Sequence, residues 1–523
     1  MKLLGLRLCE HDSNISYFDG NEVHYYKSER NYGKKHHGID ELWSWREEIK
    51  RLWNVNYDDI DEIAIVIDPW RHSLPLIGPN GPCNEEVYCT LPLTQHGYPT
   101  CEKLFPAIEY DYFPSKSKVY RVDHHYAHAL SCWPVETIKS KVQFVIDGWG
   151  DYNISWTVFT DDKPCERGYL DQNGSLGMSY GETGPGLEIE SDNSYDFAGK
   201  VMAYQAYGEI NDAFKERIKN FDMYNINGLF DYNLWCPART AGLRNNVNWI
   251  RTIHEHVGEM LLKFFEKFTN KNYDMPISYS GGCAQNVMWN TVLKNKFKNL
   301  VIPPHCNDEG LSLGSLEYLR IKNKLPQFKF ENFPYRQSDE SPETTPDSNT
   351  IKQVVNLLKR GKIIGWYQGH GEIGPRALGN RSLLINPLIR DARNIINRIK
   401  KREEYRPFGA SILKEHVREY FNTDIENEHM LYVGKTDKEN LESVTHIDKT
   451  CRFQSVSEEN GCYYELIKTF YEETGCPLLL NTSFNINGKP ILGSINNAIQ
   501  FFKNSDIDYL VIGEKILRKN GNN

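Results

Sequence analysis

No apolar run in the 523 residues approaches membrane-spanning length, and the opening Met1-Lys2-Leu3-Leu4-Gly5-Leu6-Arg7-Leu8 is too short and too charged for a signal peptide. The cytoplasm is therefore the expected compartment, with no membrane partner. CxxC pairs are also absent. Twelve cysteines are scattered from Cys9 to Cys476, which excludes a zinc ribbon and a disulfide framework. Positive charge is in deficit: a net charge of -9 argues against a nonspecific polyanion binder, although a local basic groove fits inside an acidic total. What remains is 40% hydrophobic and 25% charged, a soluble globular composition long enough for two or three domains.

The chemistry concentrates first in residues 122–150. A helix over residues 126–132 would put His124 and His128 one turn apart on one face, where they can close on one cation. The apolar run Val142–Ile146 then delivers Asp147 to a glycine-bordered turn, where a carboxylate can meet metal and phosphate together. The competing reading is that His124 and His125 cap or pack a helix start and Asp147 merely begins a hairpin.

Around that stretch the chain repeats a plan. Alternating Leu4, Leu6 and Leu8, then residues 14–18, an Asp19-Gly20-Asn21 turn and residues 22–27 predict three meandering strands, with His11, Asp12 and Ser13 at a polar tip. A second strand, acidic-glycine turn and strand follow from Val142 to Phe159, which predicts a duplicated lobe. Residues 29–38 read as a basic flexible loop. Residues 68–114, rich in Pro, Gly and aromatics, read as a recognition insertion. Residues 174–186 read as too glycine-rich for a regular element, and helices are expected within 197–218 and 247–268.

Residues 277–286 read as strand, Gly-Gly turn and helix start, an arrangement able to hold a phosphate, with Asn286 in reach of a ribose or base. Residues 301–310 lead to a second acidic tip at Asp308. Residues 337–349 read as a linker. Beyond it, Arg376 and Arg381 stand among glycines and Lys400, Lys401, Arg402 and Arg406 follow, a pattern suited to phosphate or carboxylate. Asn481, Thr482, Ser483 and Asn485 close a buried strand with hydrogen-bonding side chains.

The ordered blocks His11-Asp12-Ser13, His124 with His128, Ser280-Gly281-Gly282, residues 374–382, residues 402–408 and residues 481–485 resemble the NodU/CmcH family of O-carbamoyltransferases. The resemblance implies an α/β protein with a duplicated actin-like N-terminal domain, similar to the transferase that makes threonylcarbamoyl tRNA, over 1–336. The linker 337–349 and a YrdC-like C-terminal domain over 350–523 would follow. In such proteins the C-terminal domain joins carbamoyl phosphate to ATP, releasing pyrophosphate and leaving carbamoyl adenylate. The N-terminal domain passes the carbamoyl group to an acceptor hydroxyl and releases AMP. Carried over by motif, His124, His128, Asp147 and Asp308 would bind iron(II) or a similar divalent ion. Gly148, Gly150, Gly281, Gly282, Asn286 and Gly310 would line the adenylate site, and His11, with Asp12 beside it, would orient or deprotonate the acceptor. Arg376, Arg381, Lys400, Arg402 and Arg406 would hold carbamoyl phosphate and the ATP phosphates, with Mg2+ accompanying ATP. Asn481, Ser483 and Asn485 would contact the carbamoyl amide or nucleotide, and Lys34 would reach in from the first domain.

The acceptor is expected to be a small natural product or sugar, or a hydroxymethylated base such as 5-hydroxymethylcytosine in DNA, with a homodimer allowed. A tRNA threonylcarbamoylation-type enzyme, or a nucleotide-binding module without turnover, are the alternatives.

Overall fold

The computed structural model describes residues 1–8, 11–39, 44–67, 77–78, 81–82, 107–109, 116–151, 154–170, 174–187, 189–191, 193–218 and 247–519. Most of the insertion at 68–114, with the aromatic residues that mark it for recognition, lies outside the described residues.

Two sheets share one topology. In the first, β1 (Leu3–Arg7), β2 (Asn14–Phe18), β3 (Val23–Lys27), β4 (Glu62–Val66) and β5 (Lys118–Val122) lie in the order β3-β2-β1-β4-β5, and a short sixth strand, Ala107–Glu109, is added antiparallel at the β5 edge. In the second, β6 (Val142–Ile146), β7 (Ile154–Thr160), β8 (Lys163–Tyr169), β9 (Ile277–Ser280) and β10 (Leu300–Val301) lie in the order β8-β7-β6-β9-β10. In both, the first three numbered strands are antiparallel and the other two run parallel to the first. This duplicated antiparallel meander with parallel additions is the actin-like arrangement. Its meander turns follow directly from the Asp-Gly signal and the apolar strand runs.

The Leu311–Lys322 helix packs between the lobes. Leu311, Leu313, Leu316 and Leu319 share a core with Ala64, Val66, Val122, Ala127 and Val145. Glycines allow this approach. A Cβ on Gly5 would lie 2.1 Å from the Ser312 carbonyl oxygen, and one on Gly314 would lie 1.8 Å from that of Ala127. Two segments differ from expectation. Residues 174–186 contain a helix, Leu176–Gly186, because its glycines serve packing: a Cβ on Gly177 would meet the Gly148 backbone at 2.6 Å. Close approach there outweighs poor helix propensity. Glu29 and Arg30 do not lie in an open loop but are buried in the short Ser28–Tyr32 helix, paired with Lys27 and with C-terminal carbonyls.

The C-terminal part is one mixed eight-stranded sheet: β11 (Ile364–Tyr367), β12 (Arg381–Ile385), β13 (Gly409–Leu413), β14 (Val433–Lys435), β15 (Thr450–Val456), β16 (Leu478–Ser483), β17 (Tyr509–Ile512) and β18 (Lys515–Arg518). Their order is β14-β15-β13-β16-β12-β11-β17-β18, and the helices Ser348–Lys359, Cys462–Thr474 and Ile495–Asn504 contribute to its core. It is fixed to the first part at several points. Ile425, Leu431 and Tyr432 join the second lobe's core, and Arg30 Nη2 donates to the carbonyls of Glu372 (3.3 Å) and Gly374 (2.9 Å). Among the described residues no helix is long and apolar enough to cross a membrane.

Candidate metal centre and anion pocket

The His124–Leu130 helix starts on Asp123, whose side chain accepts the Tyr126 N–H at 2.8 Å. That cap places His124 and His128 one turn apart over the end of β6. The Nε2 atoms of His124 and His128 stand 3.3 and 3.0 Å from Asp147 Oδ2, and 3.5 and 3.4 Å from Asp308 Oδ1. Two imidazoles and two carboxylates thus converge on one point with the donor types of a divalent-metal site: Asp147 follows a strand end, His124 and Asp308 start helices, and His128 stands one turn into its helix. Asp147 is aimed by its second oxygen, which accepts the N–H groups of Gly148 (2.7 Å) and Gly282 (3.0 Å).

The electrostatics fit a positive guest. Burial alone would depress His124, but the Asp308 carboxylate and hydrogen bonds to Asp147 and Asp308 push it up to about 10. Burial likewise would raise Asp147, yet the two imidazoles hold it well below the ordinary carboxylate range. Two imidazoles facing two carboxylates supply the donor set of such an ion, so the residues fit it. His125 does not join the cluster. It bonds Thr157 Oγ1 at 2.9 Å, and burial, followed by the neighbouring His124 charge, pulls it down to about 3.

A cavity of about 590 Å³ opens from this cluster and runs to the C-terminal part. Arg376, Lys400, Arg402, Arg406 and Arg452 line its far wall, together with Asn481, Ser483 and Asn485. Burial, and then repulsion from neighbouring cations, lowers Arg376, Lys400, Arg402 and Arg452. Among the described residues, carboxylates near these cations include Glu403, shared by Arg406 (3.2 Å) and Lys200 (2.5 Å), and Glu309, which acts on Arg376. Buried cations so poor in counter-charge form an anion site. Lys400 is pinned by Ser483 O (2.5 Å), Asn485 Oδ1 (2.7 Å) and Asn485 O (3.0 Å). Asn481 Nδ2 donates to Ala377 O at 3.1 Å, fixing the loop that presents Arg376. Glu372 shapes the same loop by accepting the N–H groups of Leu378, Asn380 and Arg381 at 2.8–3.1 Å.

Not every expected residue reaches the cavity. Gly148, Gly150, Gly282 and Asn286 line it. Gly281, at φ +93°, instead forms the turn against Ile146, and Gly310 packs on His305 behind the wall. The Asn286 side chain is engaged as a helix cap, accepting the Met288 and Trp289 N–H groups at 3.2 Å, with Nδ2 3.1 Å from His254. Arg381 is turned away. Fully buried, it donates to Gln368 O, Glu340 O and Asp339 and lies 3.6 Å over the Tyr367 ring. Lys34 is exposed, whereas its neighbour Lys35 lines the cavity and pairs with Asp196.

Among the lining residues, Arg7, Lys27 and Arg452 escaped the sequence reading. Arg7 and Lys27 were detectable as charges closing strand runs, whereas Arg452 carries no spacing signal.

His11 and Asp12 stand at the cavity wall beside the metal cluster, with His11 Nδ1 3.2 Å from Asp12 Oδ2. Burial would raise Asp12, but His36, Lys27 and hydrogen bonds to His11 and His36 hold it well below its usual range. Tyr195 packs on the His11 ring with centroids 4.5 Å apart.

Two family profiles match the chain: Carbamoyltransferase N-terminus over residues 113–316, and Carbamoyltransferase C-terminus over residues 355–519. The chain belongs to the carbamoyltransferase family. Nodulation protein NolNO of Sinorhizobium fredii is 30% identical over 77% of this carbamoyltransferase-family chain and 64% of its own length. Nodulation protein NolO of Bradyrhizobium diazoefficiens is 29% identical over 76% of this chain and 79% of its own. The 3'-hydroxymethylcephem-O-carbamoyltransferase of Streptomyces clavuligerus is 28% identical over 62% and 65%. The matched region thus spans less than two thirds of NolNO and of the cephem enzyme.

Proposed function

We propose that the protein is an ATP-dependent O-carbamoyltransferase. The observation that carries this reading is the one cavity joining a buried cation cluster to a two-histidine, two-aspartate cluster. The family's chemistry needs both. Cations must hold carbamoyl phosphate and the ATP phosphates, and a second centre must release AMP.

In the first stage, Arg376, Arg402, Arg406 and Arg452 hold the phosphates. Water cleaves carbamoyl phosphate to carbamate and inorganic phosphate. A carbamate oxygen then attacks the α-phosphorus of Mg2+-bound ATP, pyrophosphate leaves, and carbamoyl adenylate forms. Lys400 and the Asn481–Asn485 turn shape that end of the cavity. Because both stages open on one cavity, the adenylate need not enter bulk water, where it would hydrolyse.

In the second stage Asp12 keeps the His11 proton on Nδ1, leaving Nε2 to take the acceptor's hydroxyl proton. The hydroxyl oxygen bonds to the carbamoyl carbon, the anhydride C–O bond breaks, and AMP departs with the electron pair. A divalent ion such as iron(II), held by His124, His128, Asp147 and Asp308, would supply Lewis acidity toward the leaving phosphate. Acceptors that fit this chemistry are hydroxyls on a sugar or other small molecule, or on a hydroxymethylated base.

Exchange of labelled pyrophosphate into ATP tests the reading. Exchange should require carbamoyl phosphate and no acceptor. ATP turnover that yields ADP, or exchange indifferent to carbamoyl phosphate, would overturn it.

A further inference from the structure

Tyr195 stands in the Ser194–Asp196 turn at the cavity wall and is 47% exposed. Of the large apolar side chains exposed among the described residues, it is the one that lines the cavity. Part of its ring rests on two imidazoles, with centroids 4.5 Å from His11 and 5.3 Å from His36. The rest is open to whatever enters beside His11.

The turn holds that ring in place. The Asn193 side chain accepts the Tyr195 N–H at 2.9 Å, and Asp196 pairs with Lys35 and, at 3.5 Å, with His36 Nε2. A tyrosine so fixed offers a large flat contact with little ordering left to do on binding. The helix that follows continues the lining without charge through Ala198, Gly199 and Met202, and a Cβ on Gly199 would meet nothing within 4 Å. There is room beside the ring.

Charge is a poor selector at this wall because the charges meet one another. His36 faces Asp12 at 2.9 Å as well as Asp196, which also takes Lys35. Lys27 lies 2.6 Å from Glu309, 3.1 Å from Glu29 and 3.2 Å from Asp12, and Arg7 pairs with Asp308 at 2.9 Å. What this end of the cavity still offers an incoming molecule is the face of an aromatic ring next to the histidine that receives the hydroxyl proton.

We infer that Tyr195 is an acceptor-binding residue, selecting acceptors whose hydroxyl is carried on a flat ring that stacks against it. Such a ring is a sugar presenting its C–H face or a heterocycle presenting its π face. The inference rests on the carbamoyltransferase reading and on the place of His11 in it.

The test follows radiolabelled carbamoyl transfer by the full chain at saturating carbamoyl phosphate and ATP. The acceptor probes are methyl β-D-glucopyranoside, 5-hydroxymethyl-2'-deoxycytidine and ringless glycerol, the two ring probes separating sugar from heterocycle. Wild type is compared with Tyr195→Phe, Tyr195→Leu and Tyr195→Ala. Leu keeps apolar bulk over His11 without a flat face, so it covers the case in which Ala fails to fold. Wild type should take at least one ring probe at a KM well below that for glycerol. Ala and Leu should raise that KM by about tenfold or more with kcat within about threefold, shift the glycerol KM by less than about threefold, and Phe should stay near wild type. An unchanged ring-probe KM in Ala and Leu overturns the inference. So does an equal fall in kcat for ring and ringless probes with a displaced pH profile, the pattern of a tyrosine that only holds His11. Pyrophosphate exchange in wild type without carbamoylation of either ring probe overturns the inference and leaves the activation reading standing. Absence of exchange in wild type sinks the functional reading itself, and the inference with it.

Discussion

Substituting Gly314 with alanine tests how the metal cluster is assembled. Gly314 lies in the Leu311–Lys322 helix, which follows Asp308, and it faces the helix that carries His124 and His128. An added Cβ would sit 1.8 Å from Ala127 O, 2.6 Å from its carbonyl carbon and 2.9 Å from its Cα. All three are backbone atoms, so no side-chain rotation can relieve the clash. Real Cβ atoms essentially never approach within 3.0 Å, so the helices must part by about 1.2 Å. Overpacking of this kind costs about 3 kcal/mol. The same displacement is several times the ~0.2 Å tolerance of a metal–ligand bond, so Co(II) affinity should fall by about 100-fold. Urea unfolding followed by tryptophan fluorescence, with Co(II) titration of the folded variant, reads both effects. Gly199→Ala is the control: its Cβ meets nothing within 4 Å in the Phe197–Tyr204 helix, and it should stabilise by up to about 1 kcal/mol. A Gly314→Ala protein with wild-type stability and Co(II) affinity would refute the reasoning.

Three other outcomes follow from the same geometry. Arg452→Met should raise the melting temperature at low salt by relieving buried repulsion, yet weaken inorganic phosphate binding by about tenfold or more, measured by calorimetry. Arg381→Met should behave oppositely, losing about 3 kcal/mol of stability to urea because the buried Asp339 carboxylate loses its guanidinium, with phosphate affinity of the folded protein unchanged. His36 is the pH-sensitive tie. Burial would lower it, but Asp12, with hydrogen bonds to Asp12 and Asp196 and against the nearby Lys35 charge, pushes it up to about 10. Its stabilisation is therefore complete below about pH 6.5 and disappears as pH rises through about 10. In thermal melts the gap between wild type and His36→Gln should be wide at pH 7 and close by pH 10.5.

Much of the fold was legible because its signals are local. Asp19-Gly20 sets a hairpin, and apolar runs such as Val142–Ile146 set buried strands, so the duplicated lobe could be read from two copies of one pattern. The metal cluster was legible for the same reason: Asp147 follows the end of a strand, His124 and Asp308 start helices, and His128 stands one turn on from His124. What sequence could not supply was direction. Arg381 and Arg452 are both strand arginines, but β12 turns the first into the 339–340 segment while β15 turns the second into the cavity. Lys34 and Lys35 differ by one position and face solvent and cavity respectively. Gly177 and Gly184 looked like helix breakers because the backbone of Gly148 and the ring of Phe197, which need their missing side chains, come from elsewhere in the chain.

The division of labour along the cavity can be measured most directly by carbamoyl-phosphate-dependent ATP–pyrophosphate exchange in wild type, Arg452→Met and His128→Ala. The account predicts exchange in wild type, its loss in Arg452→Met, and its retention in His128→Ala, where AMP release to any acceptor is blocked. Exchange lost in His128→Ala but retained in Arg452→Met would contradict it.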